Sequence, residues 1–116
     1  MVRKSISDLS MMSNEKAALE KLKDGIRAIA PSSEIILFGS RAREEGDSHS
    51  DVDVLILLDA PVDKALLDRI RDLAYGIELE HDVVFGKIVK NREEWDSRLF
   101  KATPLHINVE REGVAL

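Results

Sequence analysis

Phe38-Gly39-Ser40-Arg41-Ala42-Arg43-Glu44-Glu45-Gly46-Asp47-Ser48-His49-Ser50-Asp51-Val52-Asp53 links two apolar runs, Glu34 to Phe38 and Asp51 to Leu58. Both runs are short, rich in isoleucine, leucine or valine, and bounded by turn formers. That pattern predicts two buried strands. The first strand ends in Gly-Ser and passes into a polar segment carrying two arginines. A glycine there lets a ligand approach the backbone, N–H groups at a helix start point outward, and serine adds a hydroxyl. Gly39 and Ser40 are therefore candidates for an anion site, with Arg41 and Arg43 neutralising phosphate charge. Side chains of a strand alternate with period two, so Asp51 and Asp53 share one face while Val52 and Val54 share the other. Paired carboxylates repel unless a cation lies between them. Magnesium suits such a pair, because it is commonly held by one or two carboxylates plus substrate phosphates.

Outward from this stretch, apolar residues Ala18, Leu19, Leu22, Ile26 and Ile29 recur at helical spacing between Asn14 and Ala30. Ser13 or Asn14 can cap that helix and Pro31 stops it. Val62 to Leu79 reads as a second helix through Leu66, Ile70, Leu73 and Ile77. A third strand is expected from His81 to Phe85, with Gly86 ending its apolar part. Asp82 falls inside it, where an unpartnered charge is costly. If that strand neighbours the second, Asp82 joins Asp51 and Asp53 in a three-carboxylate cluster suited to a two-metal displacement at phosphorus. Arg92 to Lys101 looks helical, Pro104 breaks it, and Leu105 to Arg111 forms one more turn. The alternation argues for a layered α/β (α+β) domain with strand direction left open.

The chain has 116 residues, enough for one domain, expected to span 1–116. With no cysteine, a disulfide scaffold, a zinc ribbon and a thiol catalyst are excluded. A net charge of -5 argues against general attraction to nucleic acid or anionic lipid. Met1 to Met12 lacks the apolar core of a signal peptide, and the longest aliphatic run, Val54 to Leu58, is far short of a membrane span. A cytoplasmic protein is expected. His49, His81 and His106 share no metal-ligand spacing, and His49 and His106 read as surface residues. Trp95, Leu99 and Phe100 sit at helical spacings and read as packing. Glu44, Glu45 and Asp47 read as a solvated loop.

Gly39-Ser40, ten intervening residues, Asp51-Val52-Asp53 and the later His81-Asp82-Val83-Val84 resemble the nucleotidyltransferase superfamily of DNA polymerase beta. The Gly-Ser-Arg-Ala-Arg form and the closing Glu112-Gly113-Val114 are similar, more narrowly, to the minimal nucleotidyltransferases of prokaryotes. The resemblance covers nearly the whole chain. It implies the palm-like nucleotidyltransferase fold, a small mixed sheet flanked by helices. It also implies that Asp51 and Asp53 hold two magnesium ions, that Asp82 holds the catalytic one and acts as base, and that Gly39 and Ser40 contact the β- and γ-phosphates of ATP. Many members carry glycine directly after Ala-Arg, where this chain has Glu44, with Gly46 two residues later; the turn is expected to be reshaped there.

The activity implied is magnesium-dependent transfer of AMP from ATP to a hydroxyl, with release of pyrophosphate. Minimal nucleotidyltransferases are commonly encoded beside HEPN-domain ribonucleases and act as antitoxins that adenylylate the partner on tyrosine, which implies a type VII-like toxin–antitoxin pair and a hetero-oligomer. The alternatives are an antitoxin that silences its partner by occlusion, and transfer to a small molecule of aminoglycoside type. Relatives with that last activity carry an added acceptor-binding domain, so a chain this short is expected to receive its acceptor as a folded partner.

Overall fold

The computed structural model describes residues 1–46 and 50–116. Asp47, Ser48 and His49, and with them the expectations of a solvated Asp47 and a surface His49, lie outside the described residues. In chain order the elements are strand β1 (Val2–Arg3), a 3-10 turn (Ile6–Asp8), helix α1 (Ser13–Ile29), β2 (Glu34–Phe38), α2 (Gly39–Ala42), β3 (Val52–Leu58), α3 (Lys64–His81), β4 (Phe85–Asn91), α4 (Arg92–Trp95), α5 (Arg98–Lys101), α6 (Pro104–Glu112) and β5 (Val114–Ala115).

The five strands form one mixed sheet in the order β1-β5-β2-β3-β4. β2 runs antiparallel to both β3 and β5, whereas β3 and β4 are parallel and joined by the crossover helix α3. Alternation along β3 sets the two layers. Val52, Val54, Ile56 and Leu58 pack with Leu19, Leu22 and Ile26 of α1 and Ile70, Ala74 and Ile77 of α3. Leu55 and Leu57 point the opposite way, into a smaller cluster with Ile36, Trp95 and Val109. Burying both faces makes β3 almost wholly apolar after Asp53, as a central strand requires. Among the described residues, no helix is long and apolar enough to cross a membrane.

Several boundaries differ from the sequence reading, each for a local reason. Helix α3 does not stop at Leu79 but continues to His81, where Asp82 adopts a left-handed conformation (φ 54) as its C-terminal cap. The Asp82 and Val83 N–H groups both donate to the Glu78 carbonyl, closing the helix as left-handed caps do. Aspartate tolerates that conformation better than most residues. The third strand therefore begins at Phe85 and runs through Asn91, four residues beyond the expected start, and its two lysines disguised it. The capping of α1 also differs: Met12 is the cap residue, and its N–H donates to Glu15 Oε1 at 2.9 Å. Asn14 instead donates through Nδ2 to the His81 carbonyl, tying the start of α1 to the end of α3.

In the tail, Ser97 restarts the chain as the N-cap of α5, so the expected helix from Arg92 to Lys101 is two single turns. The last helix is longer than one turn, because Thr103 caps it and Pro104 opens it. His106 is buried and stacked on Trp95 with ring centroids 4.5 Å apart, which corrects its surface assignment. Leu99, read as a packing residue, is 85% exposed; Trp95 is buried and Phe100 packs beside it.

Candidate active site

Asp53 lies level with Phe38 on β2 and with Gly86 on β4. It falls on the β3 face that carries Leu55 and Leu57, where the apolar cluster under α4 to α6 gives out and the strand begins. Its carboxylate lies between two glycines. A Cβ on Gly39 would collide with Asp53 Oδ2, and one on Gly86 would collide with Oδ1. Gly39 also has φ 73, a conformation that L side chains avoid, so this position is closed to them twice over. Glycine at both places leaves the carboxylate bare on its two strand-facing sides.

Asp51 stands beside this pair, its Cβ 3.9 Å from where a Gly86 side chain would begin, and its own side chain is exposed. Burial raises the pKa of Asp53, the neighbouring Asp51 charge raises it further, and Arg43 pulls it back. A carboxylate whose proton affinity is raised by a neighbouring carboxylate marks a place where a cation is stabilised. Asp51 and Asp53 therefore fit one divalent ion whose remaining ligands come from phosphate and water.

The structure does not bring Asp82 into this arrangement as a strand residue. It caps α3, and the β4 position level with Asp53 belongs to Gly86, which has no side chain to offer. Among the described residues, no group of three His, Asp or Glu side chains could hold a metal. The three-carboxylate cluster, with Asp82 as catalytic ligand, is corrected accordingly: the left-handed end of α3 moves the start of the strand past Asp82.

The Gly-Ser turn expected to take an anion is α2, a single turn starting at Gly39 directly after β2. Ser40 follows, half-buried, and its carbonyl accepts from the Glu45 and Gly46 N–H groups, which folds the acidic loop back on the turn. Glu44, standing where many relatives of the resembled family have glycine, takes φ 60. That left-handed conformation is one glycine takes freely and glutamate takes at some cost.

The two arginines of the turn separate. Arg41 turns inward, donating through Nη2 to Glu15 Oε1 at 2.6 Å and through Nη1 to the Ser50 carbonyl at 3.3 Å. Its side chain and that of Glu15 are 5% and 4% exposed. The expectation that Arg41 contacts phosphate is corrected: it is buried in an ion pair that fastens α2 to α1. Arg43 stays on the surface near Asp53, donating through Nε to Glu45 and through Nη1 to Glu112, both at 2.8 Å. Sequence reasoning missed Glu15 and Gly86 as parts of the site. Glu15 belongs to no motif and falls outside the apolar spacing of its helix, and Gly86 read as the end of the apolar part of a strand.

A model of the nucleotidyltransferase domain family matches residues 19–111. The chain belongs to that family. A nucleotidyltransferase relative from Methanocaldococcus jannaschii, named "putative protein adenylyltransferase", is 30% identical over 105 residues, 89% of this chain and 98% of its own length. The match spans both the Gly39-Ser40 turn and the strand that carries Asp53. The protein is thus a nucleotidyltransferase enzyme of a family that uses nucleoside triphosphates and divalent metal.

Proposed function

We propose that this nucleotidyltransferase transfers AMP from ATP, with magnesium, to a tyrosine hydroxyl of a HEPN-domain ribonuclease, and that it acts in the cytoplasm as the antitoxin of that partner. The observation that carries the reading is the Asp53 carboxylate, freed of side chains by Gly39 and Gly86 and set between Asp51 and the phosphate turn. The name of the Methanocaldococcus jannaschii relative supports protein as the acceptor class.

In this reading Gly39 and Ser40 take the outer phosphates against the backbone of α2, and Arg43 balances their charge. Asp51 and Asp53 would hold the metal, which when bound would supply positive charge to the triphosphate and to the acceptor oxygen. Attack of that hydroxyl oxygen on the α-phosphorus forms the new ester bond and breaks the bond to the leaving pyrophosphate, and the hydroxyl proton passes to water. Glu15, through Arg41, keeps α2 in place against α1 while this happens.

The test is to incubate the chain with the product of its neighbouring gene, ATP and magnesium. Mass spectrometry is expected to find the partner heavier by one AMP on a tyrosine. An unchanged partner mass contradicts the proposal. Gly86, in place of a third carboxylate, favours a second reading, an antitoxin that occludes its partner without chemistry. Calorimetric titration with MgATP separates the two, since a silent site binds metal nucleotide weakly or not at all.

A further inference from the structure

Glu112 closes α6 and forms part of the Glu-Gly-Val segment, which the site as described does not use. Its place is set by the sheet. β5 pairs antiparallel with β2 through Leu37 opposite Val114, so one step further along the register Gly113 comes level with Phe38, and Glu112 follows beside Gly39. Gly113 allows this passage, because a Cβ there would press on the Val109 carbonyl and on Ile36. The C-terminal end of α6 is thereby brought against the phosphate turn.

From that position Glu112 Oε1 accepts from Arg43 Nη1 at 2.8 Å. Its side chain is 17% exposed, against 65% for Glu45, which holds the Arg43 Nε. A guanidinium carries five N–H donors in a planar fork. The two carboxylates fix the plane of the fork and leave further donors for phosphate oxygens. The Arg43 N–H donates to the Gly39 carbonyl at 3.3 Å, and Gly39 packs against the Asp53 carboxylate, so Arg43 is rooted at the same end of the sheet as that carboxylate.

We infer that Glu112 is a positioning residue for nucleotide binding: it holds Arg43 beside Asp53 with its fork preorganised for the triphosphate, and Glu45 is the exchangeable partner that yields to phosphate. This rests on the reading of the site as one for a nucleoside triphosphate. Preorganisation strengthens binding by removing the entropy of ordering a long side chain at the moment of contact. Direct charge argues the opposite way, since a carboxylate near a triphosphate repels it. The two effects predict changes of opposite sign in affinity.

MgATP affinity measured by calorimetry on the full chain separates them through a double-mutant cycle. Arg43→Ala is expected to weaken binding about tenfold. Glu112→Ala is expected to weaken it about three- to fivefold, and Glu112→Gln, which keeps the hydrogen bond, by less. In the Arg43→Ala background Glu112→Ala should change nothing further, which a merely structural Glu112 could not reproduce. Equal losses in both backgrounds, or tighter binding by Glu112→Ala alone, would overturn the inference. If the unmodified chain binds no MgATP, the triphosphate reading falls and takes the inference with it. Additive losses with intact wild-type binding sink the inference alone.

Discussion

The β2–β3 ladder carries a carboxylate at each end, and the two are surrounded in opposite ways. Glu34, level with Leu57, is gripped by Arg3 and Arg92, each at 2.9 Å, and Arg92 reaches on to Asp59 at 3.1 Å. Burial pushes the Glu34 pKa up, but the hydrogen bonds and charges of Arg92 and Arg3 hold it below the ordinary value. At the other end, Asp53 has Asp51 and two glycines as neighbours, and burial and the Asp51 charge push its pKa up. One end is a finished ion-pair network. The other is left electrostatically incomplete in the protein alone, as a site is when a cation and a triphosphate are to finish it.

The strongest way to break this contrast is to neutralise the incomplete end. Asp53→Asn should lower nucleotidyl transfer at least about 100-fold, because metal-borne charge stabilisation is worth several kcal/mol. The fold should persist, as judged by circular dichroism.

Next in size is the anchor behind the turn. Glu15→Ala removes one member of the buried Glu15–Arg41 ion pair and should cost about 3 kcal/mol in urea unfolding, as breaking a buried pair does. By contrast Glu34→Gln, at the finished end, should cost about 1 kcal/mol and leave transfer unchanged.

The opposite pKa shifts predict opposite pH slopes. The folded Glu34 pKa lies below 4.5, so its stabilisation is full above that value and is lost as pH falls through the folded pKa. The folded Asp53 pKa lies above 3.8, so the native state binds more protons than the unfolded one over that interval. Stability from Asp53 therefore falls as pH rises from about 3.8 through the raised pKa. Metal-free Asp53→Asn should gain stability relative to the wild type across that window, while Glu34→Gln should lose its penalty below its own. Unfolding measured against pH in chelator checks both signs. Smallest of all, Glu44→Gly should change stability by less than about 1 kcal/mol, relief of the left-handed backbone being offset by unfolded-state entropy.

Much of this was legible in the sequence because it depends on period and punctuation. The first two strands, the two long helices and the shared face of Asp51 and Asp53 follow from apolar spacing alone. The Asp82 strand did not, because a left-handed aspartate ends a helix without any glycine or proline to mark it. β4 was hidden by Lys87 and Lys90, polar residues that an edge strand can carry where a central strand cannot. β1 and β5 are two residues each, too short to show a period. Within the site, adjacency in sequence misled. Arg41 and Arg43 are two apart on a helical turn and so face different ways, one toward Glu15 and one toward Glu112. Those two carboxylates lie 26 and 69 residues away along the chain, and only the fold brings them in.

Thermal unfolding of the wild type and Asp53→Asn, each with and without MgATP, tests most directly whether the incomplete end is the nucleotide site. A ligand that binds only the native state raises its stability in proportion to the logarithm of ligand concentration over Kd. MgATP is expected to raise the Tm of the wild type and not of Asp53→Asn, while the variant without ligand melts no lower than the wild type. Equal stabilisation of both proteins by MgATP would contradict it.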